Sequence, residues 1–275
     1  MSKVWFVTGA SRGFGRIWVE AALERGDKVA ATARQLERLQ GLSEEYGESV
    51  LTLALDVTDK GAVEAAAWQA HERFGRLDVV INNAGYGLFG MVEEVSEDEA
   101  RAQIETNVFG ALWVTQAVLP IMREQASGHI IQVSSIGGVH AFPSLGLYHA
   151  SKWALEGFST ALAQEVGGLG IKVTLVEPTG YSTDWGGSSA VHATPIAAYD
   201  GLRAAMAEAR AKMGASLGDP EATAAVILEV VDMAEPPLRI FFGRGPLDLM
   251  RADYAERIAT WEQFDELSRR AHGSK

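Results

Sequence analysis

Seven short apolar runs recur along the chain, at residues 3–9, 28–33, 50–57, 77–85, 129–135, 171–178 and 238–243. Stretches with helical spacing separate them, at 16–26, 36–47, 63–75, 96–125 and 147–167. The runs stay apolar at successive positions, as strands buried on both faces do. Such strands, alternating with helices, build a parallel sheet covered on both sides, which right-handed crossovers wind in two directions. The fold expected is therefore α/β, doubly wound and Rossmann-like: a mostly parallel seven-stranded sheet with helices on both faces. No linker rich in proline, serine or charge interrupts the rhythm, so residues 1–275 read as a single domain. Residues 179–218 do break it, with a Gly-, Ser- and Thr-rich stretch followed by a helical pattern. An insertion after the C-terminal end of a strand lies where ligands bind in such sheets, which marks it as a substrate loop or lid. Residues 246–272 read as a C-terminal helix.

The first run leads into VTGASRGFGR (7–16). Glycines at 9, 13 and 15 permit a tight turn and a close backbone approach. The loop of Gly9, Ser11, Arg12, Gly13, Phe14 and Gly15 can then offer N–H groups to a pyrophosphate at a helix N-terminus. The spacing alone is a weak signal, and a ligand-free turn is its plain alternative. A site for NAD usually ends its second strand in a carboxylate that holds the ribose 2′-hydroxyl. Here that run ends in Ala33 and Arg34, and Arg12 lies in the loop. Two guanidiniums near the adenosine ribose suit a 2′-phosphate, so NADP(H) is the cofactor expected.

A net charge of −12 argues against a general nucleic-acid partner, because neutralising phosphates takes a basic face. The chain has no cysteine, which removes disulfides and thiolate chemistry and suits a reducing cytoplasm. Its six histidines show no metal-motif spacing, so no metal is expected. No secretory signal is read at the start. The longest apolar stretch, 108–122, is broken by Gln116 and Pro120 and falls short of the ~20 residues of a membrane span. A membrane partner is not expected.

Tyr148 and Lys152 lie four apart in LYHASKWALEGF (147–158), one helical turn from each other beside an apolar stripe. Taken alone they are either a tyrosine packed beside a snorkelling lysine or a proton-transfer device. Further motifs stand in order along the chain: TGASRGFG (8–15), DV (56–57), NNAG (82–85), Asn107 in ETNVFG, Ser135 in VSS and YHASK (148–152). Together they resemble the short-chain dehydrogenase/reductase superfamily in its single-domain form, from Lys3 to about Thr183. The resemblance implies an oxidoreductase that moves a hydride between a nicotinamide and a carbonyl or secondary alcohol. It implies that Tyr148 gives the proton in reduction and takes it in oxidation. Lys152 would favour the phenolate and bond the nicotinamide ribose, and Ser135 would bond the substrate oxygen. Asn107 would kink a helix and hold a water in a proton relay. Asp56 and Val57 would meet the adenine, and Asn82, Ala84 and Gly85 would border the cofactor ribose. Pro178 and Thr183 would lie beside the nicotinamide.

The chemistry agrees with these roles. A developing alkoxide needs a proton donor and hydrogen bonds, and a phenol of pKa ~10 needs a nearby cation to ionise at neutral pH. Ser134 competes with Ser135, but strand alternation sends neighbours to opposite faces. Without the resemblance, Asp56 reads as the N-cap of the next helix and Asn107 as an ordinary helix residue. One position departs from the family pattern. Thr179 stands where a glycine usually follows the proline, with Gly180 next and Thr183 keeping the threonine position.

Phe89, Val139, Phe142, Leu145, Tyr181 and Trp185 are candidates to line an apolar pocket for a fairly hydrophobic substrate, although each can equally pack its own loop. Trp5, Trp18, Trp113 and Trp153 fall in strand or helix patterns and read as core or interface. His149 points about 100° away from Tyr148 around the helix, which speaks against a ligand role. Two other functions are open: a catalytically silent NADP-binding sensor or scaffold, and an epimerase or dehydratase of a nucleotide-linked sugar. The first would be expected to lack the tyrosine or lysine, and the second to space its glycines differently. The resemblance also implies a homodimer or homotetramer built on the helices of 96–125 and 147–167.

Overall fold

A computed structural model describes residues 2–213 and 217–273. Residues 214–216 of the expected insertion, and Met1, Ser274 and Lys275 at the ends of the expected domain, lie outside the described residues. Among the described residues the strands are β1 (Val4–Val7), β2 (Lys28–Ala33), β3 (Val50–Ala54), β4 (Val79–Asn82), β5 (Leu88–Phe89), β6 (Gly128–Val133), β7 (Ile171–Pro178), β8 (Val191–His192) and β9 (Arg239–Phe242). Seven of them form one sheet in the order β3-β2-β1-β4-β6-β7-β9, parallel throughout. β5 and β8 make a separate two-stranded parallel pair.

The helices are α1 (Gly13–Glu24), α2 (Gln40–Tyr46), α3 (Lys60–Phe74), α4 (Glu97–Ile104), α5 (Ala111–Gln125), α6 (Gly146–Val166), α7 (Asp200–Met213), α8 (Thr223–Asp232), α9 (Pro246–Gln263) and α10 (Asp265–His272). Alternate residues of β1 feed opposite cores, which is why the run is apolar throughout. Trp5 and Val7 pack with Trp18 of α1 and Ile227 of α8, whereas Val4 and Phe6 pack with Val63 of α3 and Val114 of α5. The doubly wound, Rossmann-like sheet expected from the sequence is therefore the one observed. Strand order reverses between β1 and β4, so a crevice opens at their C-terminal ends.

Several boundaries differ, each for a local reason. The fourth run stops at Asn82 because the N–H groups of Asn83 and Ala84 turn to Thr8 Oγ1, at 3.0 and 3.1 Å, instead of a neighbouring strand. The third stops at Ala54, before Asp56 Oδ1 accepts from Thr58 N at 3.0 Å to form a turn. The N-cap of α3 is Asp59, which accepts from Ala62 N at 3.0 Å, and not Asp56. The region 96–125 is not one helix, since a π-helical turn over Glu105–Gly110 separates α4 from α5. The C-terminal segment is two helices, α9 and α10, that break at Phe264. Among the described residues no helix is long and apolar enough to cross a membrane.

Candidate active site

Glycine shapes the loop after β1 for two different reasons. Gly9 and Gly13 hold left-handed φ values of +68° and +54°, while a Cβ on Gly15 would collide with Gly9 O and the Asn83 amide. Asn83 Nδ2 donates to Thr8 O and to Gly9 O, both at 3.0 Å. The loop is thereby stitched to the end of β4 across the crevice. The first turn of α1 carries no acidic side chain, and no side chain caps it. This N-terminus has the free donors and positive dipole end that suit a pyrophosphate. Thr8 and Asn83 went unread in the sequence, although one precedes Gly9 and the other is the second asparagine of NNAG.

The residues expected around the adenosine are only partly brought together. Val57, Asn82 and Ala84 line one small cleft with Thr8, but the Asn82 amide donates to Ala111 O (3.3 Å) and Thr115 Oγ1 (3.2 Å) on α5. Asp56 is exposed, and its carboxylate is engaged by Thr58. Arg12 and Arg34 do not share a partner. Arg12 Nη1 donates to Asp184 Oδ2 at 2.7 Å and to Ser188 Oγ at 3.3 Å, both in the insertion. Arg34 is exposed just beyond β2, with no ion pair among the described residues.

Three residues of the expected catalytic set, Ser135, Tyr148 and Lys152, meet at the C-terminal end of β6, and Asn107 reaches the same helix through Ser151. Ser135 Oγ accepts from Gly137 N at 2.9 Å in the turn that follows the strand. Tyr148, near the start of α6, is 6% exposed. Burial pushes its phenol up to about 12, while a hydrogen bond with Ser135 pulls the other way. Lys152 Nζ donates to Val133 O at 2.7 Å and lies 5.8 Å from the Tyr148 ring centre. Burial draws the ammonium down to about 8, and the charge of Glu156 opposes that shift. At neutral pH the tyrosine therefore keeps its proton, and the lysine stays mostly charged.

Asn107 lies in the π-helical turn, so the helix is interrupted where the resemblance implied a kink. Its Nδ2 donates to Tyr86 O (3.1 Å) and Ser151 Oγ (3.0 Å), and its Oδ1 accepts from Tyr86 N (3.2 Å). Asn107 thus fastens the loop residue Tyr86 to α6, and Gly85 leaves the room: a Cβ there would be 3.0 Å from Asn107 Oδ1. Ser134 points away from Ser135, and a Cβ on Gly138 would meet both the Ser134 hydroxyl (2.5 Å) and Glu156 Cγ (3.0 Å).

The insertion closes over this region. Thr183 lies against Gly13, and Trp185 sits 5.0 Å from the Tyr148 ring and 5.3 Å from Phe89. Pairing of β8 with β5 holds it there. The other candidate pocket residues part company. Leu145 bridges to Gly90, and Phe142 lies between the rings of His140 (4.8 Å) and His149 (5.7 Å). Tyr181 meets Phe14 edge-on at 5.0 Å, on the phosphate-loop side, because the bridge from Tyr181 to Gly218 holds it at the insertion's base. Val139 instead faces a cavity of about 350 Å³ beneath α9, bordered by Glu177, Arg239, Phe241 and Met250. Pro178 ends β7 opposite Phe242.

One buried polar cluster was not legible. Glu156 of α6 accepts from Arg239 of β9 at 2.8 Å, and Glu177 of β7 lies 3.6 Å from the same guanidinium. Glu177 is 1% exposed, and burial together with the neighbouring Glu156 raises its carboxyl to about 8.

A profile of the short chain dehydrogenase family matches residues 3–193. The chain is 46% identical over 270 residues to oxidoreductase BOA17 of Botryotinia fuckeliana, covering 98% of each. A solved short-chain dehydrogenase from Streptomyces avermitilis superposes with a TM-score of 0.90 at 38% identity, over 98% of both chains. Two more distant structures carry different cofactors. A short-chain dehydrogenase/reductase from Burkholderia phymatum in complex with NAD matches at TM-score 0.81 and 26% identity, covering 94% of this chain and 95% of that one. An alcohol dehydrogenase from Thermococcus sibiricus with 5-hydroxy-NADP matches at 0.72 and 27%, covering 88% and 96%. A match of this extent, on a sheet wound in this order, leaves one assignment: the chain belongs to the short-chain dehydrogenase family of oxidoreductases.

Proposed function

We propose that the protein is an NADP(H)-dependent oxidoreductase acting on a carbonyl/secondary-alcohol pair with a fairly hydrophobic substrate. The observation that carries this is a buried tyrosine beside Ser135 at the crevice of the sheet, where burial disfavours loss of its proton. When bound, the nicotinamide supplies or accepts the hydride. Gly9, Ser11, Arg12, Gly13, Phe14 and Gly15 would hold the pyrophosphate side, and Asp56, Val57, Asn82, Ala84 and Gly85 the adenosine and ribose. Pro178, Thr183, Tyr148 and Lys152 would border the nicotinamide side. In reduction Tyr148 passes its proton to the substrate oxygen as negative charge builds there, and a pKa near 12 retains the proton until that charge appears. Ser135 Oγ accepts from Gly137 N, and its one hydrogen, which favours the Tyr148 oxygen in the free site, would turn to the same substrate oxygen. Lys152, while charged, eases formation of the phenolate left behind. Trp185 covers Tyr148 and is itself backed by Phe89, an apolar lining that supports a hydrophobic substrate.

Preference for NADP(H) rests on Arg34 and on β2 ending without a carboxylate. The same reading takes residues 1–275 as one domain of a cytoplasmic homodimer or homotetramer, with Phe109 and Trp153 as exposed apolar side chains for its interface. The test is NADPH oxidation against a panel of ketones and aldehydes, with wild type and Tyr148→Phe. We expect turnover by the wild type and a loss of about a hundredfold or more in the variant. Equal rates would remove Tyr148 from the mechanism.

A further inference from the structure

The turn that presents Ser135 and the exposed loop 141–143 are both held by a single side chain, His149. It follows Tyr148 in sequence, is 3% exposed, and its ring centre lies 5.7 Å from that of Tyr148. Its Nδ1 lies 3.0 Å from Gly137 O, and its Nε2 lies 2.9 Å from Phe142 N. A backbone N–H can only donate, so Nε2 is the unprotonated nitrogen and Nδ1 carries the hydrogen that Gly137 O accepts. The ring is therefore neutral, with one tautomer. Burial holds its pKa below the ordinary histidine value, in keeping with that state.

Each of the two bonds ends on a different part of the site. Gly137, held through its carbonyl, donates its own N–H to Ser135 Oγ at 2.9 Å. The fit is tight: a Cβ on Gly137 would stand 2.5 Å from His149 Nδ1 and 3.3 Å from Ser135 Oγ. Phe142, held through its amide, is 37% exposed and stands apart from the Trp185 side, at what would be the rim of the substrate pocket.

We infer that His149 is a positioning residue with two separable tasks: Nδ1 fixes the turn that aims the Ser135 hydroxyl, and Nε2 fixes Phe142 on the substrate side. The inference rests on the proposed carbonyl chemistry for its kinetic consequence, but its geometry can be read without turnover. An asparagine amide reaches about as far as Nδ1, and a glutamine amide about as far as Nε2. His149→Asn should therefore keep the Gly137 bond and lose the Phe142 bond, and His149→Gln should do the reverse. His149→Ala, which loses both, sets the limit.

The experiment combines amide hydrogen exchange at Gly137 and Phe142 with steady-state kinetics on a ketone that the wild type reduces. In His149→Asn we expect faster exchange at Phe142 alone, KM raised about tenfold, and kcat within about threefold. In His149→Gln we expect faster exchange at Gly137 alone, and kcat lowered about tenfold with KM nearly unchanged. Loss of protection at both amides in both variants, or kcat and KM moving alike in the two, overturns the inference and leaves His149 as packing. If the wild type reduces no ketone, the proposed function fails on that result, and the exchange pattern still decides whether His149 clamps the two segments separately.

Discussion

Thr179 stands where the family pattern has glycine, and its side chain fills the space that a side chain on Gly243 would need. Gly243 itself holds φ +119°, a conformation that favours glycine. The glycine missing after β7 is thus answered by one after β9, on the neighbouring strand. The departure was visible in the sequence, but its compensation was not, because it joins positions that only the sheet brings together. Arg12 shows the same limit: read as a partner of Arg34, it is engaged by Asp184. Ser135, Tyr148 and Lys152 were legible because their spacing is set within one turn and one helix. Arg34 has no competing partner of that kind, so Arg34→Asp should shift the ratio of kcat/KM for NADPH over NADH by about ten- to a hundredfold toward NADH, the range of a charge-assisted bond. Arg12→Ala should shift it less. Steady-state kinetics with both cofactors checks this, and an unchanged ratio in Arg34→Asp would place that residue outside the cofactor site.

At the scale of elements, one carboxylate supplies two of the ties on the insertion. Glu94 accepts from Ile196 N (2.7 Å), from Met91 N (2.8 Å) and from Arg203. These bonds, led by the one from Ile196 N, lower its pKa to about 2. Because the shift is downward, the stability Glu94 contributes is present above the ordinary carboxylate range and is lost only as pH falls toward about 2. Glu94→Ala should speed amide exchange across residues 191–203 and raise KM, with exchange in β1, β4 and β6 unchanged. Exchange rates in 191–203 equal to wild type would show that other contacts hold the insertion. Its existence could be read from a break in periodicity, but its docking could not, since β5 and β8 are two residues each. The π-helical turn was hidden in the apolar pattern for a related reason, since one extra residue per turn barely disturbs a pattern as long as 96–125, and only the resemblance pointed to a kink at Asn107.

For the whole molecule, the strand order was legible because each crossover is local, while the contacts that bind the C-terminal third to α6 and the loop before it were not. Asp253 and Arg257 of α9 reach His140 (3.2 Å) and Trp153 (5.1 Å), and Arg239 of β9 joins Glu156 and Glu177. That cluster sets a pH dependence. Glu177 keeps its proton in the folded state up to about pH 8, whereas the unfolded chain releases it near 4.5. Between these values the unfolded state binds fewer protons, so stability falls as pH rises. Glu177→Gln should remove this slope: the Tm of the variant relative to wild type should climb by several degrees from about pH 5 to about pH 8. A difference that stays constant across that range would mean Glu177 is ionised in the folded protein. The insertion, finally, leaves and returns at one place, where Tyr181 bridges to Gly218 and Gly218 N donates to Gly180 O at 2.9 Å. A segment whose two ends meet is a cassette: its interior can be lengthened, trimmed or exchanged while every strand of the sheet stays where it is.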